Sequence, residues 1–114
     1  MNRLEHAVSH CEKLRIKRDN TPGRSAHLYL IGVHDYVKVG IANSVRLRLT
    51  ELQVGCPYEL SVLASFPTNN AQRDERRLHR RWTAYATRGE WFRVPYAELA
   101  LVCSALSIED VLSV

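Results

Sequence analysis

Four side chains of unlike type stand where they can meet in one pocket. Glu75 projects beside the apolar stripe Ala71, Leu78, Trp82 and Tyr85 of a predicted Arg-rich helix. A carboxylate placed there is either half of a structural ion pair with a neighbouring Arg or a ligand for a hard Mg²⁺-type cation. Arg48 flanks the stripe Val45, Leu49 and Leu52 of an earlier helix. Beside Arg46 it is either a surface cation or a guanidinium fork aimed into a pocket. Tyr29 and Lys38 share one face of a predicted hairpin, as a sheet aromatic and a strand cation. His79, four residues after Glu75, sits on the rim of the same helix face, either bonded to Glu75 or available for proton donation and phosphate contact.

The elements that must position these groups follow from periodicity and punctuation. His27–Val33 and Tyr36–Ile41 alternate as two strands about a His34-Asp35 turn. That turn pairs Val33 with Tyr36, Ile31 with Lys38 and Tyr29 with Gly40, and the spacing assigns Leu28, Leu30, Val37, Val39 and Ile41 to the core face. Asn43 or Ser44 caps a helix that runs to Val54 and closes at Gly55. Glu59–Phe66 reads as a third strand ending at Pro67, residues 69–85 as a helix, and Glu90–Val94 as a short extended piece. Tyr96–Leu106 and Ile108–Val114 are C-terminal helices, the last capped by Ser107; residues 3–16 have helical spacing and 17–25 are a loop. The expected fold is α+β: a small, mostly antiparallel three-stranded sheet flanked by helices, with extra N- and C-terminal helices. The divisions are 1–26, a central domain 27–94 and a helical extension 95–114.

The ordered set of these residues resembles the GIY-YIG endonuclease superfamily. Tyr29 stands in Leu28-Tyr29-Leu30, and Gly40 follows it by eleven residues within Val37-Lys38-Val39-Gly40. Arg48 follows Gly40 by eight, and Glu75 lies on the next helix. Lys38 in the second motif, the Glu75/His79 pair and the Gly89-Glu90-Trp91-Phe92 segment are similar to one branch. It is the phage and bacterial DNA-binding branch, which includes meiotically up-regulated fungal proteins. The resemblance covers residues 27–93. It implies a phosphodiester hydrolase using one Mg²⁺ or Mn²⁺ held by Glu75, with Arg48 stabilising phosphorane charge and Tyr29 orienting or deprotonating the attacking water. Lys38 replaces a second tyrosine; it either draws Tyr29 toward phenolate or anchors phosphate, and Tyr36 is placed to substitute for the lost phenol. Leu52 and the lack of any Asn beyond Asn70 are further departures from relatives of this type.

Charge points to a polyanion. The chain of 114 residues carries a net +4, and Arg outnumbers Lys 13 to 3. Residues 69–93 hold seven Arg against three acids, while the remainder balances at nine and nine, so the whole excess lies in one segment. Arg73, Arg76, Arg77, Arg80 and Arg81, with Arg46 on the earlier helix, are the candidate phosphate contacts to DNA. Two alternatives stay open: a DNA-binding module on the same fold without turnover, and a protein-interaction domain using Leu47 and Val54. No apolar run reaches the roughly 20 residues of a membrane span, and Met1–His6 lacks the apolar segment of a signal peptide. Cys11, Cys56 and Cys103 are too scattered for a zinc site and read as reduced, mostly buried thiols of a cytoplasmic protein. His6 and His10 are four apart but face away from their helix's apolar stripe, as solvated residues.

Overall fold

The structure, a computed structural model, describes residues 26–113. The predicted helix 3–16, its His6/His10 pair, Cys11 and the loop 17–25 lie outside the described residues. Strands β1 (Ala26–Val33) and β2 (Tyr36–Ala42) form the expected hairpin in the expected register, with Tyr29 opposite Gly40, Ile31 opposite Lys38 and Val33 opposite Tyr36. His34 enters the turn in the left-handed region, at φ 54°, so the turn reverses the chain in two residues. Strand β3 (Ser61–Thr68) pairs with the other side of β1, and β4 (Trp91–Phe92) pairs with β2 at Val37 and Lys38. The sheet is therefore four-stranded and antiparallel, in the order β3-β1-β2-β4, where three strands were expected. The short extended piece after Glu90 is the fourth. Pro67 does not end β3 as expected, because β3 is an edge strand, where a residue without an N–H is tolerated.

Both faces of the central hairpin are core. Leu28, Leu30, Val37 and Val39 pack with Phe66 and Phe92, with Leu78 and Trp82 of helix α2 (Ala71–Arg81), and with Val102, Ile108 and Val111. The last three belong to α3 (Tyr96–Ser104) and α4 (Ile108–Leu112), which a Ser107/Asp110 capping box starts. On the opposite face Tyr29 and Ile31 form a second core with Leu60 and the predicted stripe Val45, Leu49 and Leu52 of helix α1 (Val45–Val54). Ser44 caps α1 by accepting from the Leu47 N–H. The face carrying Tyr29 and Lys38, expected to be the less apolar one, is thus a core in its own right. Leu47, expected to project outward, is 7% exposed, so the apolar pair invoked for a protein-interaction domain reduces to Val54. Cys56 is half-buried and Cys103 exposed, against the expectation of buried thiols.

Helix α2 is fastened by a carboxylate that sequence reasoning counted only as a charge. Asp74 is 2% exposed. It accepts from the Thr68 hydroxyl, from Arg73 Nε and Nη2 at 3.1 Å, and from Arg77 Nη1 at 3.4 Å. Asn70 caps the helix, and Asp74 in the first turn also faces the positive end of the helix dipole. Arg77 continues to Glu109 of α4 at 2.7 Å, and Arg81 to Glu98 of α3 at 2.6 Å, where Trp82 Nε1 also donates at 2.9 Å. The helix ends at Arg81 rather than at residue 85. The Thr83 hydroxyl donates to the His79 and Arg80 carbonyls, and the chain tightens into a 3₁₀ turn at Thr83–Tyr85. Burial alone would push the Asp74 carboxyl up, but the hydrogen bonds from Thr68 and Arg73 and the charges of Arg73 and Arg77 hold it below its ordinary value. Its stabilisation is therefore full above the ordinary carboxylate range and is lost as pH falls through the lowered native value. Asp74→Ala is expected to cost about 3 kcal/mol at neutral pH by stranding two arginines beside a buried position. Urea denaturation will show that gap narrowing in acid.

Candidate active site

The site begins at the cross-strand pair Tyr29 and Gly40. Alternation turns Tyr29 toward α1, and at 1% exposure its ring is fully enclosed. The phenol lies over Gly40: a Cβ there would stand 2.6 Å from Tyr29 Cζ, so only glycine leaves room for the ring. Burial pushes the phenol's ionisation up. The Arg48 charge and hydrogen bond draw it down, while the charges of Glu90 and Glu75 push it further up, for a net rise. The cation beside Tyr29 is therefore Arg48 and not Lys38, and Tyr29 is a protonated phenol at neutral pH. This corrects the expectation of a lysine-favoured phenolate. Arg48 is itself ion-paired to Glu51 through Nε at 3.2 Å. Tyr36, the other candidate phenol, lines a separate cleft at the hairpin end with Gly32, Arg93 and Tyr96.

The second half of the site is assembled where β4 runs out. That strand covers only Val37 and Lys38. Beyond it, the Val39 N–H donates to the Glu90 carbonyl at 3.2 Å, and the Val39 carbonyl accepts from His79 Nε2 at 3.1 Å. A carbonyl can only accept, so Nε2 carries a proton, and in the neutral form of the ring Nδ1 is the nitrogen with the lone pair. The Gly89-Glu90-Trp91-Phe92 segment explains itself residue by residue. Gly89 adopts φ 61°, the left-handed turn that brings the chain back along β2. Glu90 ion-pairs Lys38 at 3.0 Å. Trp91 lies beneath the Lys38 ammonium, 5.8 Å from ring centroid to Nζ. Phe92 meets His79 edge to face at 5.0 Å and Trp82 at 5.9 Å.

Ligand atoms of Glu75, His79 and Glu90 all lie within 4.8 Å of one another. Glu75 and His79 share a helix face at i and i+4, and Glu90 arrives from the turn. Two carboxylates and an imidazole are a donor set that fits a divalent cation. Burial raises the Glu75 carboxyl, and the neighbouring Glu90 charge raises it further against the opposing pull of His79, Lys38 and Arg76. Tyr29, Lys38, Arg48, Glu75 and His79 are thus gathered in one place, and each of them feels or touches another. Glu90, which on the sequence alone either joins the site or braces Arg side chains, is the residue that links them. Its position follows from the pairing of Lys38 with Trp91 in the structure, which leaves Glu90 opposite Val39.

The arginine row divides in two. Arg73, Arg77 and Arg81 are committed to Asp74, Glu109 and Glu98 on the side of α2 that packs toward α3 and α4. Arg76 and Arg80 are exposed and make no ion pair among the described residues, and the charge of Arg76 reaches Glu75. Arg46 is exposed on α1.

A family model, the T5orf172 domain, matches residues 26–107, from the first strand past α3. The chain belongs to the T5orf172 domain family. That family comprises phage-related DNA-binding and nuclease-like domains. The matched span contains every element of the site just described. No curated protein and no solved structure matches the chain. No described helix is long and apolar enough to cross a membrane.

A carboxyl raised by burial and by a like charge is a site that opposes folding once ionised. Glu75→Gln is therefore expected to stabilise this T5orf172 domain at neutral pH. The gain should vanish as pH falls through the raised native value and then below the ordinary carboxylate range, where both proteins are neutral at this position. Thermal denaturation across that range measures it.

Proposed function

We propose that this T5orf172 domain is a divalent-metal-dependent DNA endonuclease of the GIY-YIG type. The observation that carries the proposal is the convergence of Tyr29, Arg48 and Glu75, from one strand and two helices, with Lys38, His79 and Glu90 beside them. Glu75 would hold Mg²⁺ or Mn²⁺. Such an ion, when bound, supplies Lewis acidity at a phosphate oxygen.

The remaining roles belong to the side chains. Arg48 stands beside Glu51 and hydrogen-bonds Tyr29, so its guanidinium is already directed at the site where phosphorane charge would develop. Tyr29 is a protonated phenol, so it orients the attacking water by hydrogen bonding rather than by taking its proton outright. Lys38 stands at the pocket with an apolar floor of Trp91 under its stem, ready to meet a phosphate. Arg76 and Arg80 extend this positive rim along α2, where they would contact backbone phosphates and carry no sequence preference. A binding module without turnover is the second reading. It is favoured by the lysine in place of a second phenol and by the rise of the Tyr29 ionisation, both of which weaken water activation.

Incubation with supercoiled plasmid separates the two. Nicking that requires Mg²⁺ or Mn²⁺, stops with chelator, and falls about 100-fold or more in Glu75→Gln and in Arg48→Lys supports the endonuclease. Retarded, uncut plasmid with every protein and cation overturns it in favour of the binding module. In the same system, neutralising Arg76 and Arg80 together is expected to weaken DNA binding and to flatten the salt dependence by a slope of about 2, whereas unaltered affinity at low salt would remove both from the interface.

A further inference from the structure

We infer that Glu75, His79 and Glu90 form a three-donor site for a divalent cation of Mn²⁺ character, and that Lys38 occupies its charge until the cation takes Glu90. This deepens the proposal above, which needs only a metal at Glu75, and it can fail separately. Four observations carry it. The three donors lie within 4.8 Å of one another, about twice the length of a metal–oxygen bond, so one divalent ion placed among them comes within reach of all three. The His79 ring is oriented by its Nε2–H on the Val39 carbonyl, the arrangement that typically fixes the tautomer of a ligating histidine and turns its free nitrogen to the metal. The Gly89 turn places Glu90 from outside α2, so the donors approach from two directions rather than from one helix face. Finally, Lys38 Nζ sits 3.0 Å from Glu90 Oε2 on a half-exposed carboxylate, a contact that can open without unpacking the core.

Charge sets the sequence of events. Two carboxylates and one ammonium leave this cluster with one net negative charge. An incoming divalent ion overcompensates, and the surplus cation is Lys38. Released from Glu90, its ammonium remains over Trp91 and faces a phosphate anion beside the metal. Metal and phosphate would then bind with positive coupling, each strengthening the other by the same factor. The imidazole nitrogen shifts preference from Mg²⁺, which suits an all-oxygen set, toward Mn²⁺ and its neighbours.

The test titrates the full chain with Mn²⁺ in the absence of DNA, counting bound ions by electron paramagnetic resonance and reading nitrogen coupling in pulsed spectra. The expected result is one Mn²⁺ with nitrogen coupling, which His79→Gln abolishes. Affinity should fall ~10-fold or more in Glu90→Gln, comparable to the loss of a site's supporting partner or greater. It should rise several-fold in Lys38→Met, which removes the competing cation. Glu90 is half-exposed, so Glu90→Gln decides the matter even if His79→Gln loosens the packing on Phe92. One bound Mn²⁺ that Glu75→Gln removes, with no nitrogen coupling and no response to Glu90→Gln, would overturn the three-donor site and leave the endonuclease standing. Nitrogen-coupled Mn²⁺ without plasmid nicking would keep the site and overturn the endonuclease. No Mn²⁺ bound to any of the proteins would overturn the site outright.

Discussion

The structure depends on one steric constraint, the phenol of Tyr29 lying over the bare backbone of Gly40. The pair faces across the β1/β2 ladder, so the ring can fold back over β2 only if that register holds. A slip of one residue would turn Tyr29 to the other face and seat a side chain where the ring now lies. The same register puts Lys38 beside Ile31 and leaves Val39 at the strand edge, where His79 and Glu90 reach it. A single close approach thus locates both halves of the site.

That arrangement gathers acids and bases whose charges nearly cancel. Lys38 answers Glu90 and Arg48 answers Glu51, leaving Glu75 as the member whose ionisation burial resists. Helix α2 makes the contrast visible on its two sides. Toward α3 and α4, carboxylates at 74, 98 and 109 consume three arginines in fastening the helix down. Toward the site, Glu75 and His79 are flanked by exposed Arg76 and Arg80. One helix therefore commits three of its five arginines to holding still and presents the other two outward. A functional constellation needs such rigid support, because its geometry is only as good as the element that carries it.

Much of this was legible before any coordinates. The hairpin register followed from alternation about a two-residue turn, and the Ser44 cap, the α1 stripe and the gathering of Tyr29, Arg48 and Glu75 followed from period and spacing. What escaped is tertiary. Asp74 sits one residue before Glu75 and looks equally like a surface acid, because its burial is decided by Thr68, Arg73 and Arg77 closing around it. The division of the arginines required partners at 98 and 109, far along the chain. The fourth strand escaped because two residues are too few to show alternation. The burial of Leu47 has no local signal either, since the helix wheel gives directions and not neighbours. The second core was misjudged because a face with two tyrosines and a lysine looks half-polar until a helix is laid on it.

The most instructive single position is Lys38, a cation on a sheet face that is otherwise core. A cation at a half-buried strand position needs a counter-charge and an apolar bed for its stem. Both come from a segment some fifty residues away: Glu90 supplies the charge, Trp91 the bed, and Gly89 the left-handed turn that delivers them. Phe92 then closes the segment against His79, so the residue that anchors the turn also steadies a metal-capable ring. Lys38, Gly89, Glu90 and Trp91 are therefore one structural unit. Removing the carboxylate alone leaves a half-buried ammonium unpaired, and removing the ammonium alone leaves two acids facing each other. A lysine at position 38 is workable only because the late turn supplies its surroundings, and that coupling ties β2 to the turn at Gly89.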